Sequence, residues 1–154
     1  MRLLVIPFFA IILYSCSNNT VYEQVKPVDE KAWDYRDTLA YEFAIEDTNQ
    51  NYNLIISLKY KKNYSYSNIF FFVDVVDPEM DTYRDTIECF MAAPSGRWLG
   101  ESSGDYIEQK LIYRQNVNFP KKGTYKINLQ HAMRDTLLRN MSEVGLELQE
   151  FEEK

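Results

Sequence analysis

Hydrophobic residues recur at every second position through much of this chain, and polar residues lie between them. Such alternation predicts β-strands with one buried face, because successive side chains of a strand point to opposite sides of its sheet. The spacing is clearest over residues 39–45 and 52–60. Further alternating segments occupy residues 83–91, 107–117, 125–129 and 144–148.

Two segments depart from this alternation. Residues 69–76, IFFFVDVV, are almost continuously apolar, which is typical of a central strand that is covered on both faces. Farther along, Met133, Leu137, Leu138 and Met141 have the spacing of one face of a helix. That spacing predicts a short helix of about two turns over residues 133–141.

The order of these elements predicts the fold class. Many short strands with one brief helix are typical of an all-β protein, and the chain lacks the repeated strand and helix alternation of a parallel sheet. We therefore expect an antiparallel two-sheet β-sandwich, either jelly-roll or immunoglobulin-like, with the short helix near its C-terminus.

The N-terminal segment has the pattern of an export signal. Arg2 precedes the apolar run 3–14, which is shorter than the roughly 20 residues of a membrane-spanning helix. The run ends in the lipobox-like sequence LYSC at residues 13–16. We predict a lipoprotein signal peptide over residues 1–15 and membrane lipid attached to Cys16, whose acyl chains would anchor the protein durably. An ordinary cleaved signal with a cysteine beside the cut is the alternative.

The rest of the chain divides into a linker and one domain. Residues 16–32 are polar, contain Pro27 and lack periodicity. They predict a lipidated N-terminus followed by a flexible tether. Residues 33–154 then form the β-sandwich domain, a length that is ordinary for a single hydrophobic core.

Composition restricts the partners. The chain has 17 basic and 23 acidic side chains, and its formal net charge is −6. We expect no nucleic acid as a partner, because an acidic surface repels phosphate backbones. Anionic headgroups would repel it too, so membrane attachment depends on the lipid at Cys16. The other cysteine, Cys89, alternates with Ile87 and Met91, which predicts a small buried core residue.

Candidates for catalysis are weak. Residues 100–104 match the G-x-S-x-G pattern around Ser102, and Asp105 and His131 follow in the order of some hydrolase triads. That motif requires a strand that turns into a helix, whereas residues 105–113 lack a helical face. We therefore predict no catalytic residues and no enzyme activity.

Metal and cofactor sites are not predicted either. His131 is the only histidine, which excludes sites built from several imidazoles. Carboxylates are frequent over residues 74–85, but they lack the ligand spacing and glycine of a calcium-binding hand. We interpret them as a solvated acidic loop, and we expect no metal and no cofactor.

Four aromatic residues are candidates for a surface that binds a ligand or a partner: Trp98, Tyr64, Tyr66 and Tyr106. Aromatic rings provide a large contact area at a small entropic cost. Trp98 has an alternative role, because the glycines on both sides of it let the backbone turn while the indole packs over one end of the sandwich.

Several short motifs follow the lipobox in a fixed order. They comprise a segment that begins at Trp33, the sequence YSYSNIF at residues 64–70, DTIE at 85–88, GRWLG at 96–100, QHAMR at 130–134 and EVGLEL at 143–148. Over nearly the whole mature chain, this series resembles the gliding motility lipoprotein GldH family of Bacteroidetes.

The resemblance implies a non-enzymatic, membrane-anchored lipoprotein that is associated with gliding motility and with the secretion machinery coupled to it. It implies envelope proteins as partners and carries over no catalytic residues. The residues after Cys16 lack the acidic cluster that resembles a surface-export signal in this phylum, so we expect the domain to face the periplasm from the outer membrane. A scaffold or adaptor is the function we expect, and a glycan- or peptide-binding module of the envelope is the alternative.

Overall fold

The computed structural model describes residues 19–152, which form eleven β-strands. In chain order they are β1 (Thr20–Pro27), β2 (Trp33–Asp34), β3 (Leu39–Ile45), β4 (Asn51–Lys61), β5 (Asn68–Val76), β6 (Thr82–Phe90), β7 (Glu101–Ser103), β8 (Tyr106–Asn118), β9 (Gly123–His131), β10 (Leu137–Leu138) and β11 (Met141–Glu150). None of the described residues forms a helix that could span a bilayer.

The strands form two antiparallel sheets that face each other. The first sheet has the order β1-β11-β4-β8-β7, and the second has the order β3-β9-β5-β6. Strands β2 and β10 pair separately as a short ribbon. Among the longer strands, the first pairs with the last and the second pairs with the last but one, which is the jelly-roll topology. The sequence prediction of an all-β sandwich is therefore confirmed, and its jelly-roll form is the one observed.

Alternation in the sequence explains the core. On β3, Tyr41, Phe43 and Ile45 are buried, while the residues between them are exposed. On β9, Tyr125, Ile127 and Leu129 are buried in the same alternating manner. Side chains of this kind from both sheets meet in a single hydrophobic core.

Strand β5 is central in its sheet, as predicted, but it is not covered on both faces. Ile69, Phe71 and Val73 are fully buried, whereas Phe70 and Phe72 on the other face are only half-buried. Arg84 from β6 lies over the Phe72 ring, 5.3 Å from its centroid. This apolar outer face is therefore partly shielded by a side chain and not by a third layer.

The predicted helix over residues 133–141 is wrong. No residue of this segment is helical: Leu137 and Leu138 pair with β2, and the Tyr35 amide donates to the Thr136 carbonyl. Leu138 is buried and Leu137 is exposed, as in a strand. A helix of two turns has little intrinsic stability, so pairing with β2 determines the conformation.

The prediction of a flexible tether over residues 16–32 is wrong for residues 20–27. Residues 20–27 form β1, which pairs with β11 along its whole length, from Thr20 opposite Gln149 to Pro27 opposite Glu143. Residues 20–27 form a strand, although their sequence lacks periodicity, because β11 supplies the backbone hydrogen-bond partners. The signal peptide over residues 1–15 and the lipid at Cys16 lie outside the described residues.

The direction of the strands defines two ends of the sandwich. One end holds the start of β1, the end of β11 and the loops 46–50, 77–81 and 119–122, and we call it the tether end. The opposite end holds the loops 28–32, 62–67, 91–100, 104–105 and 132–140, and we call it the aromatic end.

Candidate partner-binding site

Four aromatic rings form a continuous chain at the aromatic end. Trp98 meets Tyr60 edge to face at 5.3 Å between centroids, Tyr60 lies 5.8 Å from Tyr64, and Tyr64 lies 5.7 Å from Tyr66. The structure thus brings together three of the four predicted residues. Sequence analysis missed Tyr60, whose alternating position on β4 predicted only a core residue.

Only part of this chain of rings is accessible. Tyr60 and Tyr64 are buried, and burial raises the pKa of Tyr60 to about 12. Trp98 and Tyr66 are half-buried. The two buried tyrosines therefore support the rings at each end, which are the ones that can contact a partner.

The Trp98 ring is held in place by its local backbone. Gly96 has a φ of +82°, which lets the chain turn tightly, and Trp98 forms an isolated β-bridge with Ala92. Gly100 lies so close to β8 that an added Cβ would be 2.5 Å from the Glu108 carbonyl oxygen. A side chain at position 100 would therefore displace this loop and the indole with it.

Tyr66 lines a mostly apolar pocket of about 460 Å³, together with Phe70, Met133 and Arg134. The Tyr66 hydroxyl donates a hydrogen bond to Asp135, and this bond raises the pKa of the phenol. The Phe70 amide contacts the Met133 sulfur at 3.3 Å. The pocket therefore combines an apolar floor with an exposed guanidinium at its rim.

Tyr106 lies apart from the chain of rings, on the outer face of the first sheet. Its hydroxyl donates a 2.9 Å hydrogen bond to Glu30, and the ammonium groups of Lys59 and Lys61 lie 5.5 and 6.0 Å from its centroid. Lys61 also forms a 2.5 Å ion pair with Glu30. Tyr106 therefore belongs to a local polar network and does not extend the aromatic surface.

The loops of the aromatic end carry basic residues that form no ion pair within residues 19–152. All five are exposed: Lys31, Lys62, Arg97, Arg134 and Arg139. We call them the unpaired cations. Arginine, tyrosine and tryptophan together are typical of the energetically important positions of protein interfaces. No signal in the sequence identified this group, because its members come from four separate loops.

The hydrolase pattern does not form a nucleophile elbow. Ser102 lies exposed in a hairpin of β7 and β8, not between a strand and a helix. His131 is 1% exposed on β9 of the other sheet, and its Nε2 lies 3.1 Å from the Trp33 carbonyl oxygen. Within residues 19–152, no hydrogen bond joins Ser102 to His131.

The negative charge of the acidic loop over residues 77–81 is partly neutralised by Lys121. Asp77, Glu79 and Asp81 bring carboxylate oxygens within 4.8 Å of one another. The Lys121 ammonium contacts these three carboxylates at 2.5, 2.6 and 3.6 Å. This ion pairing lowers the pKa of Asp77 and raises that of Lys121. The ammonium thus supplies the positive charge that closely spaced carboxylates require.

Cys89 is a free, buried cysteine, as predicted. Burial raises the pKa of its thiol to about 11, so the thiol is protonated at neutral pH.

Comparison with known proteins agrees with the sequence resemblance. The family model of the GldH lipoprotein matches residues 20–148. A gliding motility lipoprotein GldH homolog from Christiangramia forsetii is 36% identical over 127 residues, covering 82% of this chain and 77% of the relative. The gliding motility lipoprotein GldH of Flavobacterium johnsoniae is 31% identical over 148 residues, covering 92% and 91%. The chain therefore belongs to the GldH lipoprotein family.

Proposed function

We propose that this protein is a non-enzymatic scaffold or adaptor of the gliding motility machinery and of the secretion apparatus coupled to it. In this proposal, acyl chains on Cys16 hold it in the outer membrane, and the domain faces the periplasm. Family membership supports the motility context, because a relative that matches over nearly its full length is named a gliding motility lipoprotein.

The observation that carries the adaptor role is the composition of the aromatic end. Trp98 and Tyr66 present half-buried rings that pack on buried tyrosines, and the unpaired cations lie in loops at the same end. Such a surface favours a protein segment that offers apolar side chains together with carboxylates. Envelope proteins of the motility machinery are the partners that we infer.

A clean deletion in the native host tests this function. We expect a joint loss of colony spreading and of protein secretion, which wild type restores and Cys16→Ser does not. The Cys16→Ser variant should be absent from the outer-membrane fraction or remain an uncleaved precursor. Unchanged spreading and secretion in the deletion strain would contradict the proposed role.

A glycan- or peptide-binding module is the second candidate, and the half-buried Trp98 ring favours it. Binding of the domain to a glycan array should then be lost in Trp98→Ala. Tyr83→Ala is the matched control, because Tyr83 is exposed but lies on β6 toward the tether end. Binding that is absent in wild type, or that Trp98→Ala leaves intact, would argue against this candidate.

A further inference from the structure

Strand β1 begins only four residues after the predicted lipid anchor at Cys16. The Glu150 amide donates a 2.7 Å hydrogen bond to the carbonyl of Asn19, and β1 starts at the next residue. Asn19 is only three residues after Cys16. Even when fully extended, three residues span about 11 Å.

The start of β1 at Thr20 lies at one end of the sandwich. Thr20 lies opposite Gln149, Glu150 lies opposite Tyr52, and Asn51 lies opposite Asn118. All of these residues are at the tether end. A lipid on Cys16 would therefore keep this end close to the headgroups.

The tether end is held together by polar side chains. The Asn51 side chain donates to Asn116 at 2.7 Å, and the Asn118 side chain donates to the Thr48 carbonyl at 2.7 Å. The Phe151 amide donates to the Asn51 carbonyl at 2.8 Å. These bonds tie three separate segments of the chain together, so the end acts as one surface rather than as independent loops.

A spacer this short prevents the domain from turning over so that only the opposite end faces the membrane. The eleven residues of β4 run from one end to the other, a distance of about 35 Å. Turning the domain over would place Asn19 about that far from the bilayer, three times the reach of the spacer. The constraint is therefore steric and does not depend on attraction to lipid.

Charge does not draw the tether end onto the bilayer. Its loops and the end of the described chain, residues 46–50, 77–81, 119–122 and 151–152, contain six carboxylates and two lysines. Anionic headgroups repel such a surface. The unpaired cations, which headgroups would attract, lie at the far end.

We propose that the membrane-anchored protein stands with its tether end against the bilayer and presents its aromatic end to the periplasm, about 35 Å farther out. This orientation rests on the proposed anchoring at Cys16. It gives a protein partner access to Trp98, Tyr66 and the unpaired cations without competition from the membrane surface.

Spin-label relaxation on vesicles tests the orientation. The acylated full-length protein is bound to vesicles of phosphatidylethanolamine and phosphatidylglycerol that contain a nickel-chelating lipid. Asn49→Cys and Lys122→Cys place labels at the tether end, and Lys62→Cys and Ser95→Cys place them at the aromatic end. All four positions are exposed, whereas Cys89 is buried and Cys16 would be acylated.

We expect severalfold stronger nickel-induced relaxation for labels at the tether end than for labels at the aromatic end. Inserting about ten Gly and Ser residues after Asn18 should reduce this contrast, because a long flexible spacer releases the constraint. Equal relaxation at both ends, or a contrast that the longer spacer leaves unchanged, would overturn the proposal.

Flotation with the vesicles separates this inference from the proposed anchoring. Wild type should float and Cys16→Ser should not. Protein that floats but shows equal relaxation at both ends refutes the orientation alone. Acylated protein that does not float refutes the anchoring on which the orientation rests.

Discussion

The phenol of Tyr41 on β3 donates a 2.7 Å hydrogen bond to the backbone carbonyl of Val144 on β11, across the space between the two sheets. Both residues are fully buried, and burial raises the pKa of Tyr41 well above its usual value. Apolar contacts between sheets have little directional preference, whereas a shielded hydrogen bond has a defined geometry. This pair therefore helps to fix the position of β3 relative to β11.

Tyr41→Phe should lower the stability of the domain because it removes the donor from a buried carbonyl. We expect the free energy of unfolding to fall by about 1–2 kcal/mol, measured by urea denaturation. Tyr22→Phe is the control, since the Tyr22 hydroxyl donates to the side chain of Gln24 at an exposed position. A similar decrease in the free energy of unfolding in both variants would show that the hydrogen bond between Tyr41 and Val144 stabilises the domain no more than the exposed one does.

His131 packs edge to face against Trp33, with 4.9 Å between the ring centroids, and should make the stability of the domain depend on pH. The Trp33 carbonyl can only accept, so the proton of the neutral imidazole is on Nε2. Nδ1 of His131 and Nε1 of Trp33 have no hydrogen-bond partner within residues 19–152. Burial lowers the pKa of the imidazole, although the Trp33 carbonyl and the carboxylates of Asp34 and Asp37 oppose this shift.

The sign of the pH effect follows from that lowered pKa. Below the unfolded-state pKa of about 6.5, the unfolded chain binds a proton that the folded protein does not, so stability falls as pH decreases. We expect denaturation curves measured between about pH 7.5 and 5.5 to show this loss. His131 is the only histidine, so His131→Gln should flatten the profile. An unchanged slope in the variant would assign the effect to other groups.

Gly145 on β11 is required by close packing across the first sheet. A Cβ at this position would lie 2.2 Å from the Ser57 hydroxyl and 3.0 Å from a Val25 methyl group. We expect Gly145→Ala to reduce the free energy of unfolding by about 1–3 kcal/mol. Ser57→Ala combined with Gly145→Ala should recover part of that loss, relative to Ser57→Ala alone. If the double variant recovers none of the lost stability, the contact with the Ser57 hydroxyl is not the source of the strain.

The sequence predicted the strands that bury one face and missed those that depend on distant partners. Alternation located β3, β4 and β9, because burial in the core determines it directly. Strand β1 exposes Val21 and Val25, so its sequence has little core signal, and pairing with β11 determines its conformation. Contacts that are distant in sequence also explain why the helix spacing over residues 133–141 was misleading.

The candidate site was predictable in part. Aromatic composition identified Trp98 and Tyr66, but the sequence could not show that buried Tyr60 and Tyr64 connect them. Tyr106 was grouped with them only by residue type, and its position beside Lys59 and Lys61 separates it. The unpaired cations come together only through the fold, since their loops are separated by whole strands.

The unpaired cations allow a test of the aromatic end that leaves the core intact. Arg134 lies at the rim of the pocket beside Tyr66 and forms no ion pair within residues 19–152. Because a carboxylate there would repel an acidic partner, Arg134→Glu should reduce colony spreading of the complemented deletion strain. Lys122→Glu is the matched control, with the same change of charge at an exposed position of the tether end. The free energy of unfolding of both variants should lie within about 0.5 kcal/mol of the wild-type value. Equal colony spreading of the two variant strains would argue against docking at the aromatic end.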